Sequence, residues 1–338
     1  MKSAIFGLFG LALFLGAAPL AHPQTSTQRA DEMHVAPIRP SATDSEIKEF
    51  DDPHWVYVHR GIVLRHDLQL AADRHQLLLW LPGTKPPDAP EPPPGKVSRG
   101  ASHEFCQLAA TLGYHVIALS YPNSIPAATC NEETDPKAFE DFRTAIISGG
   151  TTKQISISAT NCIEHRLIKL LQLLAQRYPR EEWQHFLDAS GAIKWDTIAV
   201  AGQSQGGGHA ALIGIDHRVA RVICFGAPKD WSIALKAPAA WYGKDSATPK
   251  ELFFAFNHHQ DHQGCSPEHQ LANLRALGLE KVGPIVEVDG AQPPYQNAHI
   301  LMTNYPGTKV DSGTAHGTMI SPKNEAVFGA VWRYLLGG

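Results

Sequence analysis

Apolar positions recur in two rhythms, which alternate from about residue 55 to residue 336. Short apolar runs such as Gln76-Leu77-Leu78-Leu79-Trp80-Leu81, His115-Val116-Ile117-Ala118-Leu119 and Thr197-Ile198-Ala199-Val200-Ala201 end at glycine, proline or polar residues. They read as strands. Residues 55–58, 61–64, 219–225, 252–256 and 284–288 have the same character. Between them the spacing turns helical. Phe105, Leu108, Ala109 and Leu112 share a face within 101–112. Ile163, Leu167, Leu170, Leu171 and Leu174 share another, behind Asn161 as the expected N-cap with Glu164 three residues on. Helices are also expected after residue 204 through Leu212, at 267–277 and at 324–336. This alternation predicts an α/β fold, a mainly parallel sheet covered by helices.

Two stretches precede that pattern. Met1-Lys2 and an apolar run from Ala4 to Ala21 read as a secretory signal peptide, cut after Ala18 or Ala21. The alternative is a membrane anchor. Gly7, Gly10, Gly16 and Pro19 weaken it, and no basic stop-transfer cluster follows. Residues 22–52 are rich in Pro, Ser, Thr, Asp and Gln and read as a flexible lead-in. Residues 53–338 then form one domain, secreted or periplasmic, with no stable membrane insertion after cleavage. Its loops include a proline-rich segment at 85–94 and a polar connection at 122–158.

The 338 residues are 43% hydrophobic, enough for a substantial core. With 29 basic and 33 acidic side chains, the net charge of −4 gives no electrostatic handle on nucleic acid. Export permits disulfides, and five cysteines leave at least one thiol unpaired. Cys130 and Cys162, which flank one long loop, are the expected bridge, and Cys224 is an expected core thiol. No CxxC pair occurs to support a structural zinc or a redox motif.

Gly202-Gln203-Ser204-Gln205-Gly206 matches G-x-S-x-G, directly after a strand and directly before a helix-forming stretch. A nucleophile elbow needs that setting, because the serine must project from a sharp turn. A phosphate loop fits worse, since no lysine follows these glycines. On this motif and the element order, residues 55–336 resemble the α/β-hydrolase superfamily of serine esterases and lipases. The resemblance implies a mostly parallel eight-stranded sheet flanked by helices, and the chain order serine, acid, histidine. It also implies an acid just past the strand at 252–256, where Asp261 lies, with Asp230 as runner-up and Asp289, Asp245 and Glu268 behind. The base belongs between the last strand and the last helix. His316 is preferred there over His299, which has apolar neighbours. The oxyanion would be held by the amides of Gln205 and Thr84, the latter in Pro82-Gly83-Thr84 where the family commonly has His-Gly-x.

These residues predict a secreted hydrolase of small or polymeric carboxylic esters that works through Ser204, Asp261 and His316 and needs no cofactor. An acyltransferase on the same triad is an alternative, and an inactive binding module is another. His258, His259, Asp261 and His262 are dense enough to raise a metal-dependent hydrolase, although adjacent side chains diverge around one ion. Residues 228–249 lie where the family often inserts a cap. Trp231, Trp241 and Tyr242 there are candidates to line a substrate pocket.

Overall fold

The computed structural model describes Met1 and residues 33–63, 74–85 and 102–338. The expected signal peptide and most of the proline-rich loop lie outside them. A nine-stranded sheet divides the molecule. Its strands are β1 (Met33–Ile38), β2 (His54–His59), β3 (Leu77–Leu81), β4 (His115–Ala118), β5 (Ile198–Gln203), β6 (Arg221–Phe225), β7 (Phe253–His258), β8 (Ile285–Glu287) and β9 (Ile300–Thr303). They lie in the order β1-β2-β4-β3-β5-β6-β7-β9-β8. Only β1 with β2 and β2 with β4 pair antiparallel; the other neighbours are parallel. From β3 the chain steps to β4 on one side and then returns to β5 on the other. That reversal opens a crevice at the strands' carboxyl ends, where parallel sheets place ligands.

Helices cover both faces. They are α1 (His103–Thr111), α2 (Ala138–Ser148), α3 (Ile163–Arg177), α4 (Gln205–Asp216), α5 (Pro267–Ala276), α6 (Ser312–Thr318) and α7 (Glu325–Leu335). Alternation along β3 explains its unbroken apolar sequence. Leu77, Leu79 and Leu81 enter a core with Phe142 of α2, Leu167 and Leu171 of α3, and Leu212 of α4. Leu78 and Trp80 enter a second core with Phe105 of α1 and Trp332 of α7. A strand buried on both faces has no polar side to show.

Several expectations need correction. Among the described residues the sheet has nine strands rather than eight, and β1 lies inside the stretch read as a flexible lead-in. Its half-buried residues carry no strong apolar signal and are held by backbone pairing with β2. Residues 60–63 form one helical turn instead of a strand. The polar connection contains α2, whose Phe139, Phe142 and Ile146 share a buried face with the charged Arg143. Cys162 caps α3, accepting from the His165 amide at 3.5 Å, while Asn161 Oδ1 accepts from Arg166 at 2.8 Å. Cys130 is not bridged to Cys162. Its thiol donates to Ala138 O at 3.5 Å, and that of Cys162 donates to Ala159 O at 3.1 Å. Among the described residues no helix is long and apolar enough to cross a membrane.

Candidate active site

Ser204 joins β5 to α4 with φ 55° and ψ −120°, a left-handed turn that a residue with a Cβ adopts only under strain. Its neighbours explain the motif's glycines. A Cβ on Gly202 would run into the backbone of Gly206, and one on Gly206 into the carbonyls of Leu81 and Pro82. The elbow thus sits directly on the loop after β3. A Cβ on Gly83 in that loop would lie 3.2 Å from Ser204 Cβ. On the other side, Ser204 N donates to Phe225 O at 2.8 Å, fixing the turn to the end of β6.

Asp261 and His316 meet beside this turn. His316, on α6, places Nδ1 2.8 Å from Oδ2 of Asp261, which follows β7. Oδ1 of Asp261 accepts the Gln263 amide at 3.0 Å. The aspartate is wholly buried and the histidine 8% exposed. Gly226, at the end of β6 with φ 52°, allows the approach: a Cβ there would lie 3.2 Å from His316 Nδ1 and 3.3 Å from Asp261 Oδ2. Gln203, next to the serine, donates to the His316 carbonyl at 3.3 Å. Burial alone would push the Asp261 carboxyl up. The His316 hydrogen bond and the Lys229 charge outweigh it and hold the carboxyl below its usual range.

The remaining candidates have other partners. Asp230 is buried in a two-point ion pair with Arg143, 2.5 Å at each contact. Lys229, next to Asp230 in the chain, does not pair with it: its Nζ lies 2.7 Å from Asp261 Oδ2. Asp289 accepts from Thr303 Oγ1 at 2.5 Å and from the Asn304 amide at 2.7 Å, and Asp245 and Glu268 are exposed. His299 precedes β9, a strand absent from the sequence reading, donates to Phe253 O at 2.9 Å and stacks on Phe254. His258 uses both ring nitrogens on backbone, with Tyr305 O and the Gln260 amide each at 2.9 Å, while His259 turns to Glu287 at 2.7 Å. Among the described residues no group of three or more His, Cys, Asp or Glu is placed to hold a metal.

The aromatic candidates in 228–249 also change role. Trp241 and Tyr242 are buried against Asp230. The indole donates to its Oδ2 at 3.0 Å and the phenol oxygen accepts its amide at 2.9 Å. Neither ring has a face left for a ligand. Trp231 stays partly exposed but stacks on His269 at 3.8 Å. The segment where a cap is expected forms a short hairpin and one turn.

Two further side chains, Arg143 and Lys229, belong to the site and escape sequence reasoning, and Gln205, expected for its amide, contributes its side chain as well. Gln205 ties the elbow to two loops: its Oε1 accepts from Thr84 Oγ1 at 3.1 Å and Ala127 N at 2.9 Å, and its Nε2 donates to Ile125 O at 3.1 Å. Arg143 donates to Gln205 O at 3.0 Å from beneath, and Lys229 joins the Asp261–His316 pair. Gly208 was a partial signal for Arg143, because any Cβ there would strike the guanidinium. Beside Ile125 opens a cleft of about 260 Å³ lined by Phe50, Pro122, Ile146 and Ile157 among others.

No protein-family model matches the chain, and no curated protein matches it. Among solved structures, it is similar to an α/β hydrolase enzyme from a Medee basin deep-sea metagenome library, at 15% identity and TM-score 0.43, over 91% of this chain and 99% of that one. It is also similar to an inhibited esterase B from Lactobacillus rhamnosis, at 12% identity and TM-score 0.43, over 91% and 88%. A thermophilic esterase from the Planctomycetes species Thermogutta terrifontis matches at 13% identity and TM-score 0.42, over 90% of each chain. On its own strand order and crossovers, with serine, acid and histidine following β5, β7 and β9 in turn, the chain has the α/β-hydrolase fold.

Proposed function

We propose that the protein is a serine hydrolase of carboxylic esters that works through an acyl-enzyme on Ser204. The observation that carries this reading is the strained Ser204 turn beside a buried Asp261–His316 hydrogen bond of 2.8 Å. In the proposed cycle, Ser204 Oγ attacks the ester carbonyl and His316 Nε2 takes the hydroxyl proton. Asp261 fixes the tautomer through Nδ1–H and stabilises the imidazolium. The oxyanion is held by the amides of Gln205 and Thr84, on two loops that the Gln205 side chain ties together. The tetrahedral intermediate expels the alcohol, which leaves with the proton from His316. Water, deprotonated by the same imidazole, then releases the acid and regenerates the serine. The cleft beside Ile125, where Glu49, Ser124, Gln154 and Ser156 stand among the apolar side chains, is the proposed place for one arm of the ester.

The test is turnover of short p-nitrophenyl esters together with labelling by a fluorophosphonate probe. Ser204→Ala should abolish labelling and lower kcat by roughly 10⁶, and activity should survive EDTA. Activity that persists in Ser204→Ala and disappears on chelation would overturn the reading.

A further inference from the structure

We infer that Lys229 is a positioning residue of the Asp261–His316 pair, its ammonium setting how far into acid the histidine remains available as a base. This rests on the proposed reading of the site. Lys229 Nζ donates to Asp261 Oδ2 at 2.7 Å, the same oxygen that receives His316 Nδ1–H at 2.8 Å. It lies 3.1 Å from His316 Nδ1 itself, and a further bond to Gln263 O at 2.6 Å holds it there. The lysine side chain is 10% exposed and the aspartate 0%, so water screens this contact little.

The loops do not need Lys229 in order to meet. Gly226 N donates to Phe256 O at 2.9 Å, and α5 bridges the same two segments without charge, with Gln270 donating to Asp261 O at 2.7 Å and Asn273 to Pro228 O at 3.2 Å. What the lysine adds is electrical. With it, the resting cluster of carboxylate, neutral imidazole and ammonium sums to zero, and protonating His316 takes a buried group to +1. Without it, the same protonation takes −1 to zero, which is far easier in a poorly hydrated site.

Charges on the surrounding elements leave this balance intact. Asp230 is committed to Arg143, and Asp311 at the start of α6 is exposed and bonded to Thr314. On the β7 side, His258 is held by backbone on both ring nitrogens, and His262 is exposed with its amide on Ser312. Burial pushes the neighbouring Cys265 thiol up to about 12, so it adds no charge, and His269 of α5 is stacked on Trp231.

The test compares wild type with Lys229→Met, Lys229→Gln and Lys229→Arg. One readout is the pH dependence of fluorophosphonate labelling of Ser204; the other is the titration of His316 followed by ¹⁵N NMR. In the two neutral variants the acidic limb of labelling and the His316 midpoint should both rise by about one pH unit. Lys229→Arg should restore both, whatever its effect on the maximal rate. An unmoved midpoint in either neutral variant, with labelling reduced equally at every pH, would reduce Lys229 to a structural staple and overturn the inference. Absence of labelling in the wild type would instead sink the hydrolase reading, and the NMR midpoints would still decide the role of Lys229.

Discussion

Lys229 and Asp230 are adjacent in the chain, yet each completes a different buried charge cluster on opposite sides of the elbow. Asp230 turns beneath α4 and meets Arg143 through both carboxylate oxygens, with Trp241 and Tyr242 closing the remaining positions. Arg143 then reaches Gln205 O, so this cluster grips the start of α4. Lys229 turns toward the carboxyl ends of the strands and shares one oxygen of Asp261 with His316. In the first cluster both carboxylate oxygens of Asp230 are taken up by donors that hold their protons. The second includes an imidazole whose charge can change. Saturation makes a buried ion pair architectural, and an exchangeable proton at a shared acceptor makes it a candidate for chemistry.

Exchanging the two acids for amides breaks the comparison most sharply. Asp261→Asn keeps the shape of the pair but favours the wrong imidazole tautomer, so kcat/KM should fall about 10⁴-fold with the unfolding midpoint little changed. Asp230→Asn should do the reverse. It leaves the Arg143 guanidinium, 1% exposed, without its counter-charge and should cost about 3–5 kcal/mol of stability. The folded fraction should lose less than about tenfold in kcat/KM, because no atom of Asp230 reaches the reacting groups. Ester kinetics and urea titrations on both variants decide the matter. A dead but stable Asp230→Asn would exchange the two roles.

His209 sharpens the contrast through pH. It is wholly buried on α4, with Nδ1 3.4 Å from Arg143 Nη1. Burial, and then the charge of Arg143, holds its imidazole well below the usual 6.5. The unfolded chain therefore binds a proton near pH 6.5 that the folded chain refuses. The stability this gives is complete above pH 6.5 and is lost as pH falls, at about 1.4 kcal/mol per pH unit. His54 behaves likewise down to about 3. Asp261, held low when folded, contributes above its unfolded value of 3.8 and loses that contribution only in stronger acid. Urea midpoints at pH 7, 6 and 5 should therefore decline in the wild type. His209→Gln should remove one histidine's share of the slope, and an unchanged slope would show that the cluster admits the proton.

The sequence was legible where one local pattern fixes the structure. The apolar run of β3, the turn at Ser204 and the spacing of α3 each follow from a few neighbouring residues. Asp261 and His316 are 55 residues apart and became candidates through their positions after particular strands. Partnerships across the sheet left no such trace. Lys229 and Asp230 look like a neutralising pair in one dimension and separate only because their side chains leave the loop in opposite directions. Trp241 and Tyr242 read as pocket aromatics for the same reason, since nothing near them in sequence announces Arg143 as the group they enclose. β1 and β9 were missed because an edge strand and a four-residue strand owe more to their pairing than to their own composition.

Thr84→Val should have the smallest effect, and it tests whether the two clusters share a load at the elbow. Thr84 Oγ1 donates to Gln205 Oε1 at 3.1 Å, while that oxygen also accepts Ala127 N at 2.9 Å and Gln205 O stays on Arg143. Removing the hydroxyl leaves Gln205 held from two directions and leaves both proposed oxyanion amides in place. The loss is then one neutral, partly buried hydrogen bond, about 1 kcal/mol, or roughly fivefold in kcat/KM. It should fall on kcat more than on KM, because a slackened oxyanion loop weakens the transition state and not the bound ester. A fall beyond about 100-fold would mean that the hydroxyl itself donates to the oxyanion. The tie to Gln205 would then be incidental, and the elbow would depend on the loop after β3 more than on the Arg143 cluster beneath it.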